Sequence, residues 1–400
     1  MHILFLTEAF PPETKSASTL FFELAESLVR KGHKVSVITR LPKYNIAGKL
    51  PANDISGIQV YRCRTLPLAR NIPLVRGLEH FLLAVTFFFA GMFIKGFDVI
   101  LVYSPPLPLG VAGYWLGHLR NKPVVVNIQD LYPKTVVDLG LLKNKLLIGI
   151  SKQMESFIYR KVDLLTVHSE GNQRYINNMG ASNTEIVHNW VDPELVRPGP
   201  KENDFSRKLN LADKFVVSFA GIMGFAQGLD VVIDAAYLLK DNTDIFFLLV
   251  GDGVKRARLG KRAVELKLGN VIFAPTQPLS RYPQVLQASG ICLVTLQSDL
   301  TVPAVPGKLL SIMASGRPVI ASVPLNGDTP KVVEKYQCGL IVPAGQPDLL
   351  ARAIIKLYNN PYLREKMGQN GRNAVLEGFT RKKAVAQYED IFYGLLQRQK

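Results

Sequence analysis

The sequence predicts an α/β protein of two domains, each a parallel sheet covered by helices on both faces. Three observations carry this. At 400 residues the chain exceeds the roughly 100–200 residues of one domain. Short, near-continuous apolar runs alternate with amphipathic segments of helical length, the grammar of strands buried on both faces. That grammar runs once through the first half and restarts near residue 215, after a stretch interrupted by Pro193, Pro198, Gly199 and Pro200.

In chain order, the first series of strands is HILFLT (2–7), KVSVIT (34–39), VILVY (99–103), VVVNI (124–128), LLTVH (164–168) and EIVH (185–188). Between them fall helical segments such as 19–31, with Leu20, Leu24 and Leu28 on one face, and 143–161. The second series is FVVSFA (215–220), IFFLLV (245–250), VIFA (271–274), ICLVT (291–295), PVIAS (318–322) and GLIVP (339–343). From about 380 to 400, Ala384, Tyr388, Ile391, Phe392 and Leu395 recur at helical spacing, so the chain ends in a helix. The expected organisation is a first domain over 1–195, a linker over 196–212, a second domain over 213–378 and a helix over 379–400 that packs back on the first domain. Two such domains predict a ligand cleft between them at the carboxyl ends of the strands.

Composition narrows the function. Forty-eight Lys and Arg against 32 Asp and Glu leave a net charge of +16, but 48% of residues are hydrophobic and the mean hydropathy is +0.12, which excludes a disordered basic tail protein. Cys63, Cys292 and Cys338 are isolated, which argues against a disulfide framework or zinc site. The positive charge is concentrated: Arg30 to Lys122 holds 13 basic residues against Asp54, Glu79 and Asp98. It encloses FLLAVTFFFAGMFI (81–94), too short at 14 residues for the ~20 of a membrane-spanning helix. Two readings stand for it, a core helix packed on a sheet and a membrane-facing helix flanked by Arg70, Arg76 and Lys95. The opening apolar run is too short for a cleavable signal and meets Glu8 directly.

Four loops carry the candidate chemistry. After the first strand, Glu13 and the small residues Ser16, Ala17 and Ser18 precede a helix expected from Thr19, where backbone amides suit a phosphate or a sugar hydroxyl. After the strand at 215–220, Gly221, Gly224 and Gly228 bring backbone close to a ligand, but their spacing is neither the GxGxxG dinucleotide fingerprint nor a P-loop. In TVPAVPGKLLSIMASG, Gly307 opens a short helix with Lys308 in its first turn. The macrodipole disfavours a cation there, so Lys308 is either a solvated surface lysine or one partner of an anion such as a diphosphate. Gln129 and Asp130 end the strand of VVVNIQDLYP, where the carboxylate caps a turn or grips a polyhydroxylated ligand. No HExxH, GxSxG or nucleophilic Cys-His pattern occurs.

Taken in order, HILFLTEAFPPE, RKGHKVSVIT, NIQDLYP, VHNWVDPE, FAGIMGFAQGLDVVIDAA, LLVGDG, PGKLLSIMASGRPVIAS and CGLIVPAGQPDLLARAI resemble family-4 retaining glycosyltransferases across essentially the whole chain. The likeness extends to the bacterial surface-polysaccharide branch with fucosamine-transferase-like members. It implies the GT-B fold, two Rossmann-like domains whose parallel sheets face across a cleft. The first domain would bind a lipid-linked glycan acceptor and the second a nucleotide-sugar donor, a UDP-sugar, with no metal and no cofactor. It also implies a hexosyltransferase in lipopolysaccharide, capsule or exopolysaccharide synthesis, with the leaving phosphate taking the acceptor proton.

The resemblance assigns Gln129, Asp130 and Lys308 to catalysis and Gly221, Gly224, Gln227, Gly307, Lys308 and Ser311 to the donor. Glu13, Ser16, Ala17 and Ser18 form the first-loop contact. The chain departs from the family pattern in several places. Pro303 and Ser311 stand where two glutamates are usual, Met223 and Gln227 where an Arg and a Lys are usual, and Gln129 where a His precedes the Asp. Lys15-Ser16-Ala17-Ser18 replaces a double glycine. With the basic excess, the expectation is a cytoplasmic enzyme peripheral on the inner face of the cell membrane. There Arg62, Arg64, Arg70, Arg76 and Lys95 would face anionic lipid. No nucleic-acid partner is expected, because no helix-turn-helix, RNP or zinc-finger signature is present. Two other readings are a GT-B sugar-nucleotide 2-epimerase and a non-catalytic basic protein binding membrane or nucleic acid.

Overall fold

A computed structural model describes residues 1–13, 16–42, 53–64 and 73–398. Two compact units form, one from Met1–Asn189 with Arg381–Lys400 and one from Trp190–Thr380.

The first unit contains β1 (His2–Leu6), α1 (Ser16–Arg30), β2 (Lys34–Arg40), β3 (Asp54–Ile55), β4 (Ile58–Cys63), α2 (Pro73–Phe93), β5 (Val99–Ser104), α3 (Leu107–Arg120), β6 (Val124–Ile128), α4 (Lys134–Asp138), α5 (Lys145–Lys161), β7 (Leu164–Val167), α6 (Glu170–Asn178) and β8 (Thr184–Ile186). Its sheet runs β3-β4-β2-β1-β5-β6-β7-β8, parallel except for the β3–β4 hairpin. The central strands are buried along their whole length, as their unbroken apolar sequences require. The hairpin was not expected, although Ile58, Val60 and Arg62 alternate with Gln59 and Tyr61 in a strand-like pattern. Helix α1 starts at Ser16 instead of Thr19, which takes Ser16, Ala17 and Ser18 into its first turn.

The second unit contains α7 (Asp204–Lys208), β9 (Phe215–Ala220), α8 (Asp230–Leu238), β10 (Ile245–Val250), α9 (Arg256–Glu265), β11 (Val271–Ala274), α10 (Tyr282–Gln287), β12 (Ile291–Thr295), α11 (Gly307–Ala314), β13 (Val319–Val323), α12 (Asp328–Tyr336), β14 (Gly339–Pro343), α13 (Pro347–Tyr358) and α14 (Pro361–Gly378). All six strands are parallel in the order β11-β10-β9-β12-β13-β14. The order reverses between β9 and β12, the topological switch point at which open α/β sheets hold ligands. These two strands pair only at Ile291–Val217 and Cys292–Ser218, so no ladder bond joins them towards their carboxyl ends.

Residues 196–212 are not a free linker. Phe205 and Leu211 are buried in one cluster with Val216, Ala220 and Leu248 of the second sheet, and Asn203 caps α7. The first boundary falls at Asn189, ahead of the expected 195, because Val191 bridges Thr380 and Arg372 donates to the carbonyls of Pro193 and Val196. Helix α15 (Arg381–Gln397) belongs to the first unit. Glu389 takes Lys31 and His33, Arg381 pairs with Glu26, and Tyr388 and Phe392 are fully buried.

One buried group makes this unit pH-sensitive. Glu155 on α5 is fully enclosed; Tyr159 donates to one carboxyl oxygen at 3.0 Å and the other oxygen has no partner. Burial pushes its pKa up to about 7 from 4.5. A folded-state value above the unfolded one contributes stability that is complete below pH ~4.5 and lost as pH rises through about 7. Glu155→Gln is therefore expected to be more stable than the parent at pH 8 by about 1–2 kcal/mol, discounted for residual screening, and equal to it near pH 5. Thermal unfolding of both proteins across that range checks this; parallel curves would contradict it.

Candidate functional site

The site in the second unit starts from the loops that follow β9, β10 and β12. After β9 the chain turns at Gly221, whose φ of +150° lies outside the range ordinary side chains adopt. Gly221 lies directly against Gly251 of the next strand loop: a Cβ on Gly251 would stand 2.0 Å from the Gly221 carbonyl oxygen. The amides of Gly221 and Met223 donate to the carbonyls of Val250 and Asp252, and the Lys255 amide donates to Met223. Two backbones packed this closely hold Gly221–Gly224 as a rigid floor. Its far end is set by a 3-10 turn, Phe225–Gln227, closed by left-handed Gly228 and by the Gln297 amide donating to Ala226.

Helix α11 points its start at this floor. Pro306 precedes it and no side chain caps its amides. Lys308, in the first turn, places its ammonium 3.9 Å from the centroid of the Phe219 ring and donates to Gln227 Oε1. A Cβ on Gly221 would meet that ammonium at 3.4 Å. The residue as a whole is partly exposed, yet protein crowds the ammonium enough for burial to push its pKa down to about 7. A cation held at a helix start, with an aromatic face and one amide oxygen beside it, can receive an anion.

The structure thus brings together Gly221, Gly224, Gln227, Gly307 and Lys308. Ser311, one turn along α11, instead shares a side-chain hydrogen bond with partly buried Tyr282. Phe219 is the member that sequence reasoning missed. It reads as one more apolar residue of a buried strand, and only the fold puts its ring under the lysine.

In the first unit, Gln129 does not offer a free amide. Its Nε2 donates to Asn127 Oδ1 and Asn189 Oδ1, and its Oε1 accepts from Asn189 Nδ2, each at 2.9 Å. Asn127 in turn donates to Thr166 and to the Tyr388 hydroxyl of α15 at 3.0 and 2.9 Å. Gln129 is a strut in a satisfied polar network, and the accessible group is its neighbour Asp130. The Asp130 side chain is solvent-exposed, while the protein around it disfavours the charge and raises its pKa. Asn189 and Tyr388 lie 60 and 259 residues from Gln129, so no local pattern announces them.

The first-loop residues are engaged differently from expectation. Glu13 accepts from Arg40, a buried guanidinium that also pairs with Glu8, and Ser18 is buried with its hydroxyl unpartnered. Of the expected membrane-facing cations, Arg62 turns inward: it donates to the Pro11 carbonyl at 2.7 Å and burial lowers its pKa. Arg64 and Lys95 are exposed, whereas Arg70 and the Arg76 side chain lie outside the described residues. Among the described residues no group of three His, Cys, Asp or Glu side chains could hold a metal ion, and no helix is long and apolar enough to cross a membrane.

Two parallel-sheet α/β units, one with a strand-order reversal at β9 and β12, are the parts of a GT-B fold, and comparison with known proteins shows the glycosyltransferase class. The model of Glycosyltransferase Family 4 matches residues 17–195, and that of Glycosyl transferases group 1 matches 200–374. The chain belongs to these group 1 and family 4 glycosyltransferases. It is 28% identical to WcaI of Escherichia coli, named for colanic acid biosynthesis, over 79% of this chain and 82% of that one. It is 26% identical to the Pseudomonas aeruginosa glycosyltransferase WbjE over 64% of this chain and 65% of that one. Sucrose-phosphate synthase of Thermosynechococcus elongatus shares the fold with a TM-score of 0.81 at 21% identity, covering 99% of each chain. Anabaena HepE in complex with UDP and glucose has a TM-score of 0.76 at 18% identity, covering 98% of this chain and all of that one.

Proposed function

We propose that this chain transfers a sugar from a UDP-sugar to a lipid-linked saccharide acceptor, with retention of anomeric configuration and without a metal, in the assembly of a bacterial surface polysaccharide. The observation that carries the reading is Lys308, a cation whose ammonium is crowded by protein on the uncapped start of α11 beside the Gly221–Gly224 floor. A diphosphate placed there meets the ammonium and the amides together. Charge developing on the leaving phosphate would be stabilised by groups already in place, so the protein supplies orientation and electrostatics. Asp130, next in the chain to Gln129 and exposed, is the group of the first unit that would meet the sugars. HepE, crystallised with UDP and glucose, supports the donor class, and relatives named for colanic acid and O-antigen synthesis support the acceptor class. The work place is the cytoplasmic face of the membrane, where a lipid-linked acceptor is reached.

The test is thermal unfolding in the presence of UDP, UDP-glucose, UDP-N-acetylglucosamine and GDP-mannose. A donor at 100 times its Kd adds about 2.7 kcal/mol of stability. A clear shift with UDP and one UDP-sugar is expected, followed by UDP release that depends on a lipid-linked acceptor. No shift with any of the four would overturn the donor reading, and conversion of the sugar nucleotide without acceptor would replace transfer by epimerisation.

A further inference from the structure

Helix α11 carries Lys308 at its start, and its far end is pinned backbone against backbone. A Cβ on Gly368 of α14 would stand 2.1 Å from the Gly316 carbonyl oxygen, and one on Gly371 would stand 3.2 Å from Met313 Cα. Between these contacts the Ala314 carbonyl, the last of the helix, accepts from Arg372 Nη1 at 2.9 Å. With eight residues, α11 is about 12 Å long. A rod this short, fixed at one end, is aimed by whatever holds the loop that enters the other.

That loop is TVPAVP, 301–306. It lies outside the regular elements, and Pro303 and Pro306 have no amide to donate, so its carbonyls are what a neighbour can grip. The Ala304 carbonyl accepts from the Thr329 hydroxyl at 2.6 Å. Thr329 is 1% exposed in the first turn of α12, where Pro330 and Val333 are buried as well. Strand β13, which leads into α12, pairs along its length with β14 and also with β12, the strand that leads into the loop. The hydroxyl therefore closes a short bridge between segments that leave neighbouring strands of one sheet.

We infer that Thr329 is a positioning residue of the donor site: its hydroxyl holds the Ala304 carbonyl and so fixes the loop that delivers Gly307 and Lys308 to a diphosphate. The inference rests on the reading of Lys308 as the partner of that diphosphate. Its consequence reaches the ammonium. Phe219, Gln227 and the Gly221 backbone face this group, none of them titrates, and burial among them holds its pKa down to about 7. Releasing the loop lets the start of α11 shift and water reach the ammonium, which raises its pKa towards the ordinary lysine value. A cation displaced from the place where charge develops also stabilises that charge less.

Thr329→Val keeps the shape of the side chain and removes the hydroxyl, whereas Thr329→Ser keeps the hydroxyl. Calorimetric titration of the full chain with UDP from pH 6 to 9 compares them with the parent. Thr329→Val is expected to bind UDP about tenfold more weakly at pH 6, where the ammonium is charged in both proteins, and to begin its loss of affinity about one pH unit higher than the parent. Thr329→Ser is expected to stay within about twofold of the parent throughout. Ile354→Val, in the buried core of α13, lowers Tm without touching the loop and is expected to leave both the UDP affinity and its pH onset unchanged. A Thr329→Val protein that matches the parent in affinity and onset, a Thr329→Ser protein as weak as Thr329→Val, or an Ile354→Val protein that weakens UDP binding as much would each overturn the inference. Where the parent binds UDP and Lys308→Met does not, any of these results removes the positioning role alone and leaves the donor reading standing. A parent that fails to bind UDP at every pH removes both.

Discussion

Lys308→Met is expected to reduce sugar transfer by about 100- to 1,000-fold, the range for losing one preorganised group that meets developing charge. Methionine keeps an unbranched stem over Phe219 and removes only the cation, so the variant should unfold at a temperature equal to or above the parent's, because a desolvated charge is gone. The pH dependence is the sharper test. With a pKa of about 7 in the free protein, Lys308 is charged below that pH and increasingly neutral above it. An arriving diphosphate favours the ammonium form, so donor binding takes up a proton whenever it starts from the neutral lysine. Donor affinity is therefore expected to be level below pH ~7 and to fall by up to tenfold per pH unit above it, until the pKa of the bound state is reached. Lys308→Met should bind weakly with no such slope. Calorimetric titration with UDP from pH 6 to 9 reads both; a parent and variant with the same pH profile would remove Lys308 from the diphosphate site.

Gly251→Ala is expected to damage stability and donor binding together. The new methyl carbon would lie 2.0 Å from the Gly221 carbonyl oxygen and 3.0 Å from its carbonyl carbon, and both contacts are backbone, so no rotamer relieves them. Alanine is also strained at the Gly251 φ of +139°. The loops must part, and a cost of about 2–4 kcal/mol is expected from the clash and the strain. Because Gly221 abuts the Lys308 ammonium, the same displacement moves the floor of the donor site, and the UDP-induced thermal shift should disappear. Gly260→Ala, in α9 with open space around its Cβ, is the control: an unchanged UDP shift and a stability equal to or slightly above the parent's are expected. A Gly251→Ala protein that retains both its Tm and its UDP shift would show that the contact of the two loops is dispensable.

Much of the fold was legible along the chain because buried parallel strands leave an unbroken apolar signature. Twelve strand segments stood out as runs such as VVVNI and IFFLLV; the ends of eleven moved by a residue at most, and β8 ends at Ile186, two residues before the expected 188. The segments that escaped were those without that signature: β3 has two residues, and its partly exposed neighbour β4 carries Gln59, Tyr61 and Arg62. The loop chemistry was partly legible as well. Gly221, Gly224, Gly307 and Lys308 mark themselves because glycine before a helix and lysine in its first turn are locally unfavourable unless something else requires them.

What the sequence determined on its own was therefore the repeated strand–helix grammar, the two-domain organisation and the loops able to carry a phosphate. Only the tertiary structure decided which side chains meet. It set Phe219 beneath Lys308, tied Gln129 to Asn189 and, through Asn127, to Tyr388, drew Arg62 inward to Pro11, and divided the apolar run of α2 into a buried face and a bare one. The reason is physical. Strand and helix formation answer to neighbours two to four residues away, which a linear pattern records. The partner of a polar or aromatic side chain is fixed by packing between segments tens to hundreds of residues apart, for which the local pattern holds no signal.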